Sequence, residues 1–146
     1  MNLLKPLVTD RQFWGRYEGN WLSFKDHYPN GPAFGGLIGA ATAFSVFLQD
    51  QLREESALLN PTTKRSFETQ QQTADGKLIP MTLGWHRGLT DGVAYLYKEG
   101  GGGGCHNEMR IYPQHALGTI FMSNNTEMNT TRLLNRLDRT FLNTKL

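Results

Sequence analysis

A lysine, a glutamate and five consecutive glycines lie between two strand-like stretches, and this run limits what the chain can fold into more than any other feature. It comprises Lys98, Glu99 and the glycines 100–104, after which Cys105 resumes the pattern. Glycine has no side chain, so the backbone of another molecule could lie directly against this segment. The run predicts a strand that ends in a wide turn, with an edge open to a second chain.

Two other interpretations of the glycine run are weaker. A phosphate-binding loop would need Gly-Lys-Ser/Thr at its end and a helix after it, whereas Cys105 and a strand-like stretch follow here. A flexible linker is the second alternative, but glycines between two strand-like runs more naturally form a wide turn.

Length and charge exclude several classes of protein. The 146 residues are sufficient for one domain with a substantial core. The net charge is +2 and the pI is about 8.8, with the basic residues scattered, so nucleic-acid binding is not indicated. One cysteine and four dispersed histidines give no zinc spacing, and the sequence implies neither a metal nor a cofactor.

The N-terminal residues are not expected to form an export signal. Lys5, Asp10 and Arg11 interrupt the short apolar stretch before a signal-peptide core could form. No stretch approaches the roughly twenty apolar residues that span a bilayer. The sequence therefore predicts no membrane span, and it leaves the compartment open.

Helical patterns occupy the first half and the end of the chain. Apolar spacing predicts a helix from Gly39 that ends near Glu54, and Asn60-Pro61 caps a short helix, Pro61 to Glu68. At the C-terminus, Leu133, Leu137 and Phe141, with Leu134 beside them, predict an amphipathic helix with these residues inward. Its opposite, solvent face would carry Arg132, Asn135, Asp138 and Arg139.

Strand patterns occupy the middle of the chain. The predicted strands are Met81 to Arg87, Val93 to Glu99, Asn107 to Tyr112 and Leu117 to Met122, with tight turns at 90–92 and 113–115. The order of helices, antiparallel strands and helix indicates an α+β fold with a sheet of three to four strands. The single domain 1–146 divides into an irregular connecting segment (1–33), a helical segment (34–75), antiparallel strands (80–124) and a C-terminal helix (126–143).

Several single residues invite a chemical interpretation. Cys105 and His106 are adjacent on a strand, so their side chains should diverge, and Cys105 is expected to be a small buried residue. His86 and His106 have no carboxylate partner identifiable from sequence. Glu99 is either an acid or base or an exposed ion-pair partner of Lys98 or Arg110. Trp14, Trp21 and Trp85 are expected in the core.

A series of short motifs resembles the C-terminal part of the β-lactamase-related serine hydrolases, which include class C β-lactamases, DD-peptidases and related esterases. The resemblance covers the chain from about Trp14 onward. Its motifs are Pro32 to Gly39 before a helix, Leu59 to Thr63 at a helix start, Leu83-Gly84-Trp85-His86, Lys98-Glu99-Gly100-Gly101, Met109 to Pro113, and Met122-Ser123-Asn124.

The family's nucleophile motif is missing. In the family a Ser-x-x-Lys motif supplies the nucleophile and its base. The residues three positions after Ser23, Ser45, Ser56, Ser66 and Ser123 include no lysine. Tyr28-Pro29-Asn30 spells the family's Tyr-x-Asn motif but lies directly before the Gly35-Gly36-Leu37 segment, so we interpret it as coincidence.

The resemblance does extend to the family's Lys-Thr-Gly strand, where Lys98-Glu99-Gly100 has glutamate in place of the hydroxyl residue. It implies that Lys98, Glu99, Gly100 and Gly101 bind substrate, with the Gly101 N–H as a donor to the oxyanion. No catalytic residue is assigned. Family members are often periplasmic or in the cell envelope.

Two functions remain open at this point. The chain could be the C-terminal part of a serine hydrolase, inactive alone and completed by an N-terminal half to act on a small acyl substrate. Alternatively it could be a non-enzymatic interaction module whose open edge or face forms a homo-oligomer or complements another chain.

Overall fold

The architecture comes from a computed structural model that describes residues 14–23, 39–102 and 105–143. Two layers of helix enclose one four-stranded antiparallel sheet, and a separate two-stranded hairpin precedes them. The α+β prediction is confirmed. In chain order the elements are β1 (Trp14–Tyr17), β2 (Asn20–Ser23), α1 (Ala41–Leu52), α2 (Pro61–Glu68), β3 (His86–Thr90), β4 (Val93–Gly102), β5 (Cys105–Tyr112), a 3-10 turn (Pro113–His115), β6 (Leu117–Ser123) and α3 (Thr130–Leu142).

Local turn and cap chemistry explains several boundaries. The Asn60 side chain accepts a hydrogen bond from the Thr63 N–H at 2.9 Å, and Pro61 occupies the first turn of α2, as the sequence predicts. Asp91 and Gly92 both have positive φ, 49° and 81°, which is the geometry of a two-residue hairpin turn between β3 and β4.

Two predictions about strands are wrong, and the first is the strand expected from Met81 to Arg87. Residues 81–85 do not form a strand, because the N–H groups of Thr82 and Trp85 bond locally to the Trp85 carbonyl and the Thr82 hydroxyl, closing a turn. The strand begins at His86 and is joined to Met81 by a single bridge.

The connecting segment expected to be irregular contains a hairpin. β1 pairs with β2 in antiparallel register around Glu18 and Gly19, which both have positive φ. Glycine at position 19 suits the tight turn of this hairpin. The rest of the predicted segment 1–33, and the side chains of Trp14 and Trp21, lie outside the described residues.

An apolar layer lies between α1 and the sheet. Its buried members are Leu48, Trp85, Leu96 and Ile111, packed against Phe47, Leu52, Met109 and Ile120. The prediction that Trp85 belongs to the core is confirmed. The helix approaches β6 closely at Gly118, where a Cβ atom would lie 3.2 Å from the Leu48 Cβ.

The opposite face of the sheet is covered by α3, and the predicted orientation of this helix is correct for Leu134 but wrong for Leu137, Phe141 and Asp138. Leu137 and Phe141 are 46% and 60% exposed, whereas Thr130, Leu134 and Asp138 are buried. Since the sheet presents Glu108, Arg110 and Tyr112 on this face, polar side chains on the helix must satisfy their hydrogen bonds. That requirement outweighs the burial of the leucine and phenylalanine stripe.

Candidate functional site

The far end of β4 forms an open edge of the sheet. The β3–β4 pairing stops at His86 and Tyr97, so residues 98–102 continue beyond the neighbouring strand. On their other side these residues pair with β5 as far as Cys105. No strand in the described part of the chain covers the free side of 98–102. We call these five residues the β4 open edge.

Backbone alternation identifies which groups face outward there. The two-residue turn makes Thr90 and Val93 a hydrogen-bonded pair, so the backbones of Val93, Tyr95 and Tyr97 point toward β3. The same alternation directs the N–H and C=O groups of Glu99 and Gly101 to the side where β3 has ended. The Gly101 N–H, which the resemblance implies as an oxyanion donor, therefore lies on the open side of the strand.

The four predicted binding residues lie together at this edge, and all are exposed. Their side chains do not share one face, because alternate residues of a strand point to opposite sides. Lys98 lies on the α1 face with Met109, and Glu99 lies on the α3 face with Glu108. Around Gly100 there is nothing within 4 Å of the position a Cβ atom would occupy.

Glu99 has a partner that the sequence did not reveal. Its carboxylate lies 3.7 Å from the His106 Nε2. Of the two ion-pair partners considered from the sequence, Arg110 is engaged by Glu108 and Asp138, and Lys98 lies on the other face of the sheet. The pair forms because Gly101 is opposite His106 and has no side chain to separate it from Glu99. Strand register, which single-residue patterns do not contain, was the missing signal.

His106 joins this edge to the start of α3. Its Nδ1 lies 2.7 Å from the Met128 carbonyl oxygen, which assigns a hydrogen to Nδ1, and its Nε2 lies 3.4 Å from the Thr130 Oγ1. Cys105 is exposed and not a buried residue as expected, because it lies at the first position of β5, at the end of the sheet. Its side chain and that of His106 point to opposite faces, as predicted.

His86 and Tyr97 form a second feature near this edge. Their rings stack with centroids 5.1 Å apart at the last pair of the β3–β4 ladder. Tyr97 in turn contacts Tyr95, whose ring lies 5.2 Å from that of Tyr112. The row of rings makes His86 part of an aromatic surface at the end of β3.

A buried polar cluster lies between the sheet and α3, and sequence analysis missed it. Arg110 donates from Nε to Glu108 at 2.6 Å and from Nη1 to Asp138 at 3.2 Å. The Tyr112 hydroxyl donates to the same Asp138 oxygen at 2.7 Å, and the Thr130 hydroxyl donates to Glu108 at 2.9 Å. The available signal was the alternation of Glu108, Arg110 and Tyr112 along one strand face.

Burial and hydrogen bonding alter the proton affinities of this cluster. Burial, together with the hydrogen bond to Asp138, raises the pKa of the Tyr112 hydroxyl. Burial also raises the pKa of Asp138 above its usual 3.8, although hydrogen bonds from Tyr112 and Thr119 and the charge of Arg110 oppose this. These groups hold α3 on the sheet. Because they are buried, they are not exposed at the β4 open edge.

The raised pKa of Asp138 predicts a definite pH dependence. The folded chain binds the proton of the Asp138 carboxyl more tightly than the unfolded chain does. The protonated carboxyl therefore contributes its full share of the free energy of unfolding below the unfolded pKa, and this contribution is lost as pH rises through the native pKa. Relative to Asp138→Asn, the wild type should gain free energy of unfolding as pH falls from about 7 to 4. Urea unfolding across this range measures the difference, and a constant or reversed difference would contradict it.

Metal-ligand groups and membrane-spanning helices were sought among the described residues. There, no three histidine, cysteine, aspartate or glutamate side chains form a group that could hold a metal ion. In the same part of the chain no helix is both long and apolar enough to cross a bilayer.

Comparison with known proteins leaves the β4 open edge as the main guide to function. No protein-family model matches the chain, and neither a curated protein sequence nor a solved structure is significantly similar to it.

Proposed function

We propose that the chain provides the substrate-binding edge of a β-lactamase-related serine hydrolase, which transfers the acyl group of an amide, lactam or ester. The observation that carries the proposal is the β4 open edge. There the backbone of Gly101 faces outward next to the exposed Lys98. A nucleophile would come from a further polypeptide segment or a second chain.

The chemistry of the edge suits an acyl substrate. A backbone N–H that points at a developing oxyanion contributes about 3 kcal/mol to transition-state stabilisation in enzymes where it has been removed. Gly100 and Gly101 present no side chains that would hold a substrate away from that N–H. Lys98 supplies a positive charge that attracts a substrate carboxylate.

The chain alone should be catalytically silent. None of its five serines is followed by a lysine three residues later, so no hydroxyl has the family's neighbouring base. The glutamate at position 99 also replaces the hydroxyl residue of the family's motif, and it is engaged with His106. Its hydrogen bond to substrate is therefore not part of the proposal.

A second function rests on the same edge. Unpaired N–H and C=O groups can add a strand from another protein, which is how many interaction modules bind extended peptides. In that case the backbone would carry the affinity, and the charge of Lys98 would matter little.

A peptide titration separates the two functions. We expect an N-acetylated tripeptide ending in D-alanyl-D-alanine to shift the amide NMR signals of residues 98–101 in the ¹⁵N-labelled chain. Gly101→Pro should abolish binding by removing the outward N–H, whereas Gly101→Ala should retain it. The added methyl group would lie 3.4 Å from the His106 ring, an ordinary contact. Proline is tolerated at strand edges, so Gly101→Pro should remain folded and its loss of binding can be assigned to the missing N–H.

The lysine is tested with a matched pair. Lys98→Ala should weaken the acid peptide about tenfold and leave the C-terminal amide peptide unaffected, while Lys77→Ala, at another exposed lysine, should change neither. Equal binding of acid and amide would favour the interaction module. The hydrolase proposal fails if Gly101→Pro binds as the wild type does. Stoichiometric labelling of a serine of the isolated chain by a fluorophosphonate probe would contradict the expectation that the chain alone is catalytically silent.

A further inference from the structure

The imidazole ring of His106 is held in one orientation beside the β4 open edge. Its Nδ1 atom lies 2.7 Å from the Met128 carbonyl oxygen, and a carbonyl only accepts hydrogen bonds, so Nδ1 carries a hydrogen. In the neutral ring the second nitrogen, Nε2, then has a lone pair and no hydrogen. Nε2 can therefore donate a hydrogen bond only when the ring is protonated and carries a positive charge.

Both oxygen atoms near Nε2 act as acceptors towards it. The Glu99 carboxylate lies 3.7 Å away, and the Thr130 Oγ1 lies 3.4 Å away. The Thr130 hydroxyl donates its hydrogen to the Glu108 carboxylate at 2.9 Å, so this hydrogen is not available to the ring. A neutral ring would place a lone pair against two oxygens, whereas a protonated ring places a hydrogen and a positive charge there. The surroundings of Nε2 suit the charged ring.

The other elements around His106 bring no competing free charge among the described residues. On β5, the Glu108 carboxylate is already paired with Arg110 at 2.6 Å. On β6, the residue opposite His106 is Ser123, which is uncharged. The start of α3 brings the positive end of the helix dipole, which opposes a charge on the ring. The charged partner of His106 is therefore Glu99 on β4.

We propose that His106 is a positioning residue that acts through Glu99, and that its protonation determines whether the β4 open edge accepts an anionic ligand. With the ring protonated, the charges of His106 and Glu99 cancel, and Lys98 gives the edge a net positive charge. With the ring neutral, the Glu99 carboxylate is uncompensated and opposes Lys98. Histidine changes its charge between about pH 5 and 8, so the edge should favour anions at the lower end of this range. This inference rests on the proposed binding of a substrate carboxylate at the same edge.

Glu99 is close enough to Lys98 to influence a carboxylate bound there. The two residues are consecutive, so their Cα atoms are about 3.8 Å apart, although their side chains lie on opposite faces. This separation is well within the Debye length of about 10 Å at 0.1 M salt. The side chains of His106 and Glu99 are 23% and 45% exposed, so water weakens their effect. One charge at about 8 Å in water-like surroundings changes the affinity for an anion about threefold.

The coupling between the two side chains can be measured without a ligand. In the ¹³C,¹⁵N-labelled chain, the ring nitrogen signals of His106 should show a hydrogen on Nδ1 at about pH 8 and on both nitrogens at about pH 5.5. The side-chain carboxyl signal of Glu99 should move in a step with the same midpoint. This step should disappear in His106→Gln and persist in His115→Gln, since His115 lies in the 3-10 turn at the other end of β5. Amide spectra verify that each variant remains folded.

The pH profile of ligand binding tests the consequence for the edge. The N-acetylated tripeptide ending in D-alanyl-D-alanine keeps its C-terminal charge between about pH 5.5 and 8. The wild type should bind this acid peptide about threefold more tightly at the lower pH, and should bind the C-terminal amide peptide equally at both. His106→Gln should bind the acid peptide weakly at both pH values. Glu99→Gln should bind it at about pH 8 at least as tightly as the wild type does at about pH 5.5, because the opposing carboxylate is gone.

His86 is the histidine that could produce a similar profile, because it stacks on Tyr97 at the same end of the sheet. His86→Gln should retain the pH profile of the wild type. The proposal is overturned by a wild-type affinity that does not change with pH, or by a profile that survives in folded His106→Gln. A Glu99 carboxyl signal that titrates identically in the wild type and in His106→Gln also overturns it.

The two experiments separate this proposal from the proposed function. An acid peptide that binds at neither pH would contradict the proposed substrate site. The step in the Glu99 carboxyl signal would then still decide whether His106 controls the charge of the edge.

Discussion

Replacing Arg110 with leucine should lower the free energy of unfolding by about 3–5 kcal/mol, the range seen when one partner of a buried ion pair is removed. Arg110 is fully buried and bonds to both Glu108 and Asp138, which are also buried. Without the guanidinium, two carboxylates would stay in the interior with no cation to compensate them. Its stacking over the Tyr95 ring, 4.6 Å from the centroid, would be lost as well.

A matched control variant tests whether burial of the ion pair causes the loss of stability. Arg139→Leu breaks the pair with Asp91, whose two side chains are 57% and 52% exposed. An exposed pair contributes about 0–1 kcal/mol, so this variant should unfold close to the wild type. Urea unfolding followed by circular dichroism measures both variants. Equal losses for Arg110→Leu and Arg139→Leu would show that the buried cluster does not hold α3 in place.

Gly88→Ala should be the second most damaging change. It should lower the free energy of unfolding by about 1–3 kcal/mol, because the added methyl group overpacks the site. A Cβ atom on Gly88 would lie 2.3 Å from the Tyr95 Cζ and 2.6 Å from its hydroxyl oxygen. The Tyr95 ring has little room to move, because Tyr112 packs against it at 5.2 Å and Arg110 lies over its face. Relief therefore requires a shift of β3 or of the polar cluster.

Gly100→Ala provides the comparison for Gly88→Ala within the same sheet, since nothing lies within 4 Å of the added methyl group. That variant should unfold at the same urea concentration as the wild type, or slightly higher. If Gly88→Ala is as stable as Gly100→Ala, Tyr95 is not held by its neighbours, and the aromatic row along the sheet is looser than its contacts suggest.

Short-range chemistry made much of this fold predictable. Asn60 and Pro61 define the start of α2 from their own side chains, and helix α1 follows from spacing that recurs within two turns. The strands around the glycine run were predicted to within a few residues, because the Asp91-Gly92 turn and the 3-10 turn at 113–115 separate them. Each of these signals lies within the segment it specifies.

The errors at Asp138 and Glu99 have a different cause, which is dependence on distant residues. Asp138 looked like a solvent-facing residue of α3, and only the arginine and tyrosine on β5 make its burial favourable. Glu99 lies next to His106 because of the register in which β4 and β5 pair. A search for partners among neighbouring residues of the sequence does not include that register. The four predicted binding residues are consecutive in the sequence, whereas the division of their side chains between two faces required the sheet.

The contrast between the two faces of the sheet also settles how the glycine hairpin aligns. A turn made of glycines sets no preference for one strand register over another, and a slip of a single residue exchanges the faces of every side chain. If β5 slipped by one position against β4, Glu108 and Arg110 would enter the apolar layer beneath α1, and Ile111 would meet Asp138. Burying those charges without partners is far more costly than any preference of the turn. The segregation of polar and apolar layers thus selects the register in which β4 and β5 pair.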